Sequence, residues 1–263
     1  MPRFAANLST LFTELPFLDR FGAAARAGFT AVECQLPYPF VRHTLKARLD
    51  EHGLTQVLIN MPAGDWAGGE RGIACHPNRR QEFTEGIDRA IDYARTLGCT
   101  QVNCLAGITP AGVSPAAARD TFARNLATAA PRLASYGIRL LIEPINTRDV
   151  PGFFLTHTAQ ALDIIADVRS DNLFLQYDVY HMQIMEGDLA RTIERHLSLI
   201  GHVQIADAPA RHEPGTGEIN YDFLLRFLDQ VGYQGWIGLE YTPRGRTEDG
   251  LDWLSRGGWP LGA

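Results

Sequence analysis

Acidic and amide side chains close the apolar runs in the second half of the chain. Glu143 follows Leu140-Leu141-Ile142, Asp178 follows Leu175-Gln176-Tyr177, and Glu240 follows Ile237-Gly238-Leu239. Gln204 and Asp207 both fall in the segment His202-Val203-Gln204-Ile205-Ala206-Asp207. A carboxylate at the tip of a buried run is costly to desolvate, and several aimed at one point repel unless a cation lies between them. Oxygen donors of this kind suit a hard divalent ion, Mg²⁺ or Mn²⁺. Glu143, Asp178 and Glu240 are therefore candidate metal ligands. The competing structural roles are a surface salt bridge for either glutamate and a helix N-cap for Asp178. Gln204 and Asp207 have opposite parity along a strand, so only one of them should point inward, and spacing leaves that choice open. His181 lies three residues beyond Asp178, and Arg211 seven beyond Gln204. Loop histidines and arginines are ordinarily solvated, but these two follow runs that already supply candidate ligands.

The elements that must position these groups recur along the sequence. Short apolar runs follow a glycine by one to three residues at Gly28, Gly53, Gly98, Gly137, Gly201 and Gly235. Glycine ends a helix in the left-handed conformation at little steric cost, so each reads as helix, glycine, strand. With residues 3–8 and 173–177 added, the pattern predicts eight strands, the others at 29–33, 54–59, 99–102, 138–142, 202–205 and 236–239. Helical periodicity is present at 17–27, 79–97, 115–136, 158–168, 188–197 and 221–231. Ser114-Pro115 reads as an N-cap with first-turn proline, and Asn220 or Asp222 as the cap of the helix near 221. Nearly continuous apolar strands are those buried on both faces. Strand then helix, eight times over, predicts a single (β/α)₈ TIM barrel in the α/β class, with active groups at the C-terminal strand ends. A doubly wound open sheet is the alternative; no GxGxxG follows the first strand, which also argues against a nucleotide cofactor. The tail from 244 to 263 reads as a last helix with a Gly/Pro end.

The 263 residues match the roughly 250 of one such barrel, so one domain fits without a spare module. The net charge of −6, with no basic block, argues against nucleic acid as a partner. No stretch approaches the ~18 apolar residues of a membrane span, and the N-terminus lacks a signal-like apolar core. Cys34, Cys75, Cys99 and Cys104 form no CxxC pair, and buried thiols in a reducing cytoplasm are the expectation. The longest connection, 61–78, carries Trp66, Glu70, Arg71 and His76; loops of that length are usually functional, and it reads as a lid over the barrel mouth or as a contact in a homo-oligomer.

Together these residues resemble the hydroxypyruvate isomerase family within the xylose-isomerase-like barrel superfamily. The segments that carry the resemblance are 60–66 (NMPAGDW), 69–77 (GERGIACHP), 142–146 (IEPIN), 176–181 (QYDVYH), and 202–207 (HVQIAD) running on through 211–218 (RHEPGTGE). They are spread over nearly the whole chain. The resemblance implies that Glu143, Asp178, Gln204 and Glu240 bind one divalent metal, and it selects Gln204 where spacing did not. It also implies that His181 and Arg211 contact substrate oxygens. In the related ketose 3-epimerases the strand-seven ligand is typically histidine; Gln204 departs from that pattern and favours the hydroxypyruvate isomerase branch.

The implied substrate is a small 2-oxo or hydroxy acid, and the implied reaction moves a proton between adjacent carbons through an enediolate. Glu143 and Glu240 would flank the substrate as the proton-transferring pair. A neutral His181 could donate to the carbonyl oxygen, and Arg211 offers a planar fork for a carboxylate. The rival readings are isomerisation of a longer 2-oxo sugar acid such as a 2-oxo-tetronate, or epimerisation of a ketose. More distant ones are an endonuclease-IV-type nuclease, which would need several more histidines, and a barrel that only binds a sugar acid.

Overall fold

The computed structural model describes residues 1–259 and Leu261. The strands β1 (Arg3–Asn7), β2 (Ala31–Cys34), β3 (Thr55–Asn60), β4 (Gln101–Asn103), β5 (Arg139–Ile142), β6 (Leu173–Asp178), β7 (Ile200–Ile205) and β8 (Trp236–Leu239) pair in parallel, in chain order. Closure is made by β1 against β8, from Arg3 opposite Trp236 to Ala6 opposite Leu239. An eight-stranded barrel therefore forms, and the open-sheet alternative is excluded.

The helices are α1 (Arg20–Arg26), α2 (Arg42–His52), α3 (Arg80–Leu97), α4 (Pro115–Ala134), α5 (Thr158–Val168), α6 (Val179–Met185), α7 (Leu189–His196), α8 (Tyr221–Gln230) and α9 (Asp252–Arg256). On α3 the buried face carries Phe83, Ile87, Ala90, Ala94 and Leu97, the three- and four-residue spacing of an amphipathic helix. Ser114 caps α4 by accepting from the Ala117 N–H at 3.2 Å, and Asn220, not Asp222, caps α8 by accepting from Phe223 at 3.1 Å. The sequence pattern gave no sign of α2, because only Leu45 and Leu49 of its eleven residues are buried. The expected last helix is the short α9; Pro260, Gly262 and Ala263 of the expected Gly/Pro end lie outside the described residues.

Two of the six punctuating glycines are there for a different reason from the expected one. Gly53 and Gly98 do end α2 and α3 with φ of 63° and 69°. Gly201 is instead a close approach: a Cβ there would lie 2.6 Å from Leu141 Cδ2. Gly235 likewise leaves room for the Tyr233 ring.

Inside the barrel, Ala5, Ala31, Val57, Leu58 and Leu141 make a small apolar cluster separate from the main core under the helices. Polar side chains fill the rest. His202 Nε2 lies 2.7 Å from Glu33 Oε2, and Gln204 Nε2 donates to Glu33 Oε1 at 2.8 Å. Because β2 and β7 are not neighbours in the barrel, these bonds cross its interior. The four cysteines are buried and free, as expected. Among the described residues no helix is long and apolar enough to cross a membrane.

Gly238 sits beside Gln204 in the β7–β8 register, and a Cβ at 238 would collide with the Glu33 carboxylate. Gly238→Ala should therefore cost about 1–3 kcal/mol by overpacking. Urea denaturation checks this, and an unchanged midpoint would show that the barrel interior has slack.

Candidate active site

Glu143 is the first residue past β5 and is 4% exposed, as is Glu240, the first past β8. Both line one cavity of ≈ 100 Å³, together with Gln35, Asn60, Trp66, Arg71, His181 and Arg211 among others. Asn103, at the end of β4, donates from Nδ2 to Glu143 Oε2 at 2.8 Å. Glu240 is gripped more heavily: Oε1 accepts from Gln35 Nε2 at 2.8 Å and Arg211 Nη2 at 2.7 Å, and Oε2 accepts from Asn7 Nδ2 at 3.1 Å and from Gln204 Nε2.

Asp178 performs two tasks with its two oxygens. Oδ1 caps α6, accepting from the N–H groups of Tyr180 at 2.8 Å and His181 at 3.2 Å. Oδ2 is buried with no hydrogen-bond partner, 3.6 Å from His181 Nε2 and 3.8 Å from Arg211 Nη2. The N-cap role is filled by Oδ1 alone, which leaves Oδ2 free for the ligand role that competed with it in the sequence. A buried carboxylate oxygen without a donor is a strong request for a cation. Glu143, Asp178 and His181 each present a ligand atom, all within 4.8 Å of one another. Two of these three donors are carboxylate oxygens, which suit a hard divalent ion, and the third is an imidazole nitrogen.

The ambiguity of strand seven is resolved by orientation. Gln204 faces the interior, where its Oε1 accepts from Gln176 Nε2 at 2.6 Å while its Nε2 serves Glu33 and Glu240. Asp207 instead accepts from the N–H groups of Gly215, Gly217 and Ile219, at 2.8, 2.9 and 3.1 Å, and so shapes the loop between β7 and α8. That loop carries Arg211 in a left-handed backbone conformation, φ 57°, a strain of about 1–3 kcal/mol for a residue other than glycine. It is held there by Arg211 N–H to Asp207 O at 2.9 Å and by Thr242 N–H to Arg211 O at 2.8 Å.

His181 is fixed by Asn146. The Asn146 Oδ1 accepts from the N–H groups of Arg148 and Asp149, which leaves its Nδ2 to donate to His181 Nδ1 at 2.7 Å. A neutral His181 with an accepting Nδ1 carries its proton on Nε2, the nitrogen near Asp178 Oδ2. Burial lowers its pKa to about 4, Asp178 opposes that shift and Arg211 adds to it, so the ring is neutral near pH 7. Burial also raises both glutamates: Glu143 well above the usual range, helped by Glu240 and Asp178, and Glu240 upward despite the opposing pull of Arg211.

The structure therefore gathers Glu143, Asp178, Gln204, Glu240, His181 and Arg211 at one barrel mouth. The sequence reading passed over Glu33 and His202, although a glutamate inside an apolar run that ends Val32-Glu33-Cys34 was a signal of the same kind as Glu143. It also passed over the donor shell of Asn7, Gln35, Asn103 and Asn146, which no spacing rule marks. Residues 72–76 of the long connection are tied within it by Gly72 N–H to Ala63 O at 3.0 Å, and to the rest of the chain by Cys75 N–H to Ala106 O at 2.8 Å and Asn125 Nδ2 of α4 to Ala74 O at 2.8 Å. Its outer part brings Trp66 and Arg71 to the cavity.

Residues 21–257 match the family of xylose isomerase-like TIM barrels. The chain belongs to that family. Among its relatives, the hydroxypyruvate isomerase of Escherichia coli K12 is 53% identical over 97% of this chain and 98% of its own. The 2-oxo-tetronate isomerase of Cupriavidus necator is 50% identical over the same shares. A solved structure from Brucella melitensis, described as an AP endonuclease of family 2, superposes with a TM-score of 0.95 at 50% identity, covering 97% of this chain and 99% of that one. Within this xylose isomerase-like family the barrel is shared, so the chemistry has to be argued from the side chains.

A carboxyl whose folded pKa lies above its unfolded value favours the protonated folded state. Its contribution is intact below the unfolded value and is lost as pH rises through the folded one. Without metal, the Glu143→Gln protein should therefore melt higher than wild type at pH 8, by roughly 2–4 °C per kcal/mol of relieved charge burial, and show little gain at pH 4. Thermal melts after chelation check this; a lower melting point at both pH values would mean that Glu143 is not held against its charge.

Proposed function

We propose that this chain is an isomerase of short 2-oxo acids that interconverts hydroxypyruvate and tartronate semialdehyde. The observation that carries the reading is the pair Glu143 and Glu240, two buried carboxyls facing one ≈ 100 Å³ cavity with the partnerless Asp178 Oδ2 beside them. High identity over nearly the full length to a hydroxypyruvate isomerase and a 2-oxo-tetronate isomerase supports it. The residues proposed to hold a metal are Glu143, Asp178, Gln204 and Glu240, and Mg²⁺ or Mn²⁺ suits their oxygen atoms. Such an ion, when bound, supplies Lewis-acid polarisation of the substrate's oxygens and a counter-charge for the enediolate.

The chain's own groups account for the proton. One of Glu143 and Glu240 takes a proton from C3 of hydroxypyruvate, and the other, or the same one, returns a proton to C2; the hydroxyl proton moves from O3 to O2. Two carboxyls on one cavity can take and give a proton at adjacent carbons. His181 donates from Nε2–H to the C2 oxygen, where negative charge develops, and its depressed pKa keeps it from arriving as an imidazolium. Arg211 holds Glu240 at 2.7 Å and so fixes where that carboxyl meets the substrate. Trp66 and Arg71 close the cavity from the long connection, so that segment acts as a cover.

A second reading, isomerisation of a 2-oxo-tetronate, is favoured by the 50% identity to the Cupriavidus necator relative. The cavity is well below the ~300–1,000 Å³ of sites for drug-sized ligands, which fits a small acid of either kind. The nuclease reading fits less well: the metal-type cluster found among the described residues holds one histidine, and the net charge is −6.

Purified protein with Mg²⁺ or Mn²⁺ should interconvert hydroxypyruvate and tartronate semialdehyde, with deuterium from D₂O entering at carbon. Glu143→Gln and Glu240→Gln should each lower kcat by roughly 10²–10⁴-fold. Near-wild-type turnover in both variants, with metal bound, would end the two-carboxylate scheme.

A further inference from the structure

The cavity contains two guanidinium groups, and their surroundings differ. Arg211 is committed to protein carboxylates: Nη2 is on Glu240 at 2.7 Å and 3.8 Å from Asp178, and Nη1 lies 3.9 Å from Asp149. Arg71 makes no ion pair among the described residues. The acid next to it in sequence, Glu70, is taken by Arg79. Both hydrogens of Arg71 Nη1 are spent on backbone oxygens, Trp66 O at 3.1 Å and Glu70 O at 2.8 Å, and its guanidinium lies over the Trp66 ring with Cζ 4.2 Å from the centroid. The Nε–Nη2 edge donates to no protein group among those described. That edge is a two-donor fork, the geometry that matches a carboxylate.

The fork is also held in place. Gly72, the next residue, has φ 112° and lies so close to the Leu105 carbonyl that a Cβ would collide with it. Its N–H is bonded to Ala63 O at 3.0 Å. Arg71 therefore projects from a rigid point of the cover, and little ordering cost remains at binding. Charge balance points the same way. Arg211 is shared among Glu240, Asp178 and Asp149, so an anionic substrate needs another cation, and among the cavity's lining residues that cation is Arg71.

We propose that Arg71 binds the substrate's carboxylate through its Nε–Nη2 edge, and so sets the preference of this site for 2-oxo acids over neutral ketoses. Arg211, which the sequence suggested for that task, then serves as the positioning group for Glu240. The inference rests on the acid-isomerase reading of the site, yet it can be tested without turnover. Calorimetric binding to the Mn²⁺-loaded protein would compare D-glycerate with its neutral amide, glyceramide. Wild type should prefer glycerate. Arg71→Met should lose about 10- to 100-fold in glycerate affinity, with glyceramide and Mn²⁺ affinity unchanged, and Arg71→Lys should fall between because it keeps the charge and loses the fork. A wild type without preference, an Arg71→Met variant that keeps its glycerate affinity within twofold, or an equal loss for both ligands would overturn the assignment. The last of these would mean that Arg71 merely stiffens the cover. Failure to turn over hydroxypyruvate alongside an Arg71-dependent preference for glycerate would instead fault the reaction and leave the carboxylate site standing.

Discussion

The structure is organised around an excess of negative charge that the protein cannot satisfy by itself. Three carboxylates, Glu143, Asp178 and Glu240, are buried at one end of the barrel, and Asp178 Oδ2 has no donor at all. Each would be expensive in an apolar interior. The fold tolerates them through directed donors, Asn103 for Glu143 and Asn7, Gln35, Gln204 and Arg211 for Glu240, and through pKa values pushed up by burial. A site built this way gives up stability in order to hold acids poised to exchange protons, and the partnerless Asp178 oxygen marks where a cation would complete it.

Beneath that mouth lies a second buried polar layer that makes the first one specific. Glu33 on β2 takes Asn7 of the neighbouring strand β1 and, across the barrel interior, His202 and Gln204 as partners. By accepting from the Gln204 amide nitrogen it fixes which end of that amide is nitrogen and which is oxygen. The glycine at 238 exists to leave room for this carboxylate. Backbone choices in β8 and side-chain chemistry in β2 and β7 are therefore parts of one arrangement.

What could be read from the sequence was what periodicity and desolvation cost dictate. The eight apolar runs, the glycine punctuation and the acids closing three late strands led to a barrel and to Glu143, Asp178 and Glu240, and these three acids converge in the structure. Gln204 and Asp207 could not be separated by spacing, since strand parity says that one faces inward without saying which; that depended on where Glu33 stands. Helix α2 escaped because Leu45 and Leu49 alone anchor it, too few to set a period. Asn146, Asn103 and Gln35 escaped because an amide's value here comes from partners distant in sequence. Arg71 was visible only as one charge in a long connection, and its significance came from its having no ion pair among the described residues, Glu70 being held by Arg79, and from the rigidity of Gly72.

The central claim is that these side chains from neighbouring strands converge on one cation. Anomalous scattering from crystals grown with Mn²⁺ tests it directly. The account predicts a single peak about 2 Å from oxygens of Glu143, Asp178, Gln204 and Glu240, with His181 Nε2 outside the coordination sphere. A peak ligated by His181 in place of Gln204 and Glu240, or no peak at the barrel mouth, would contradict it.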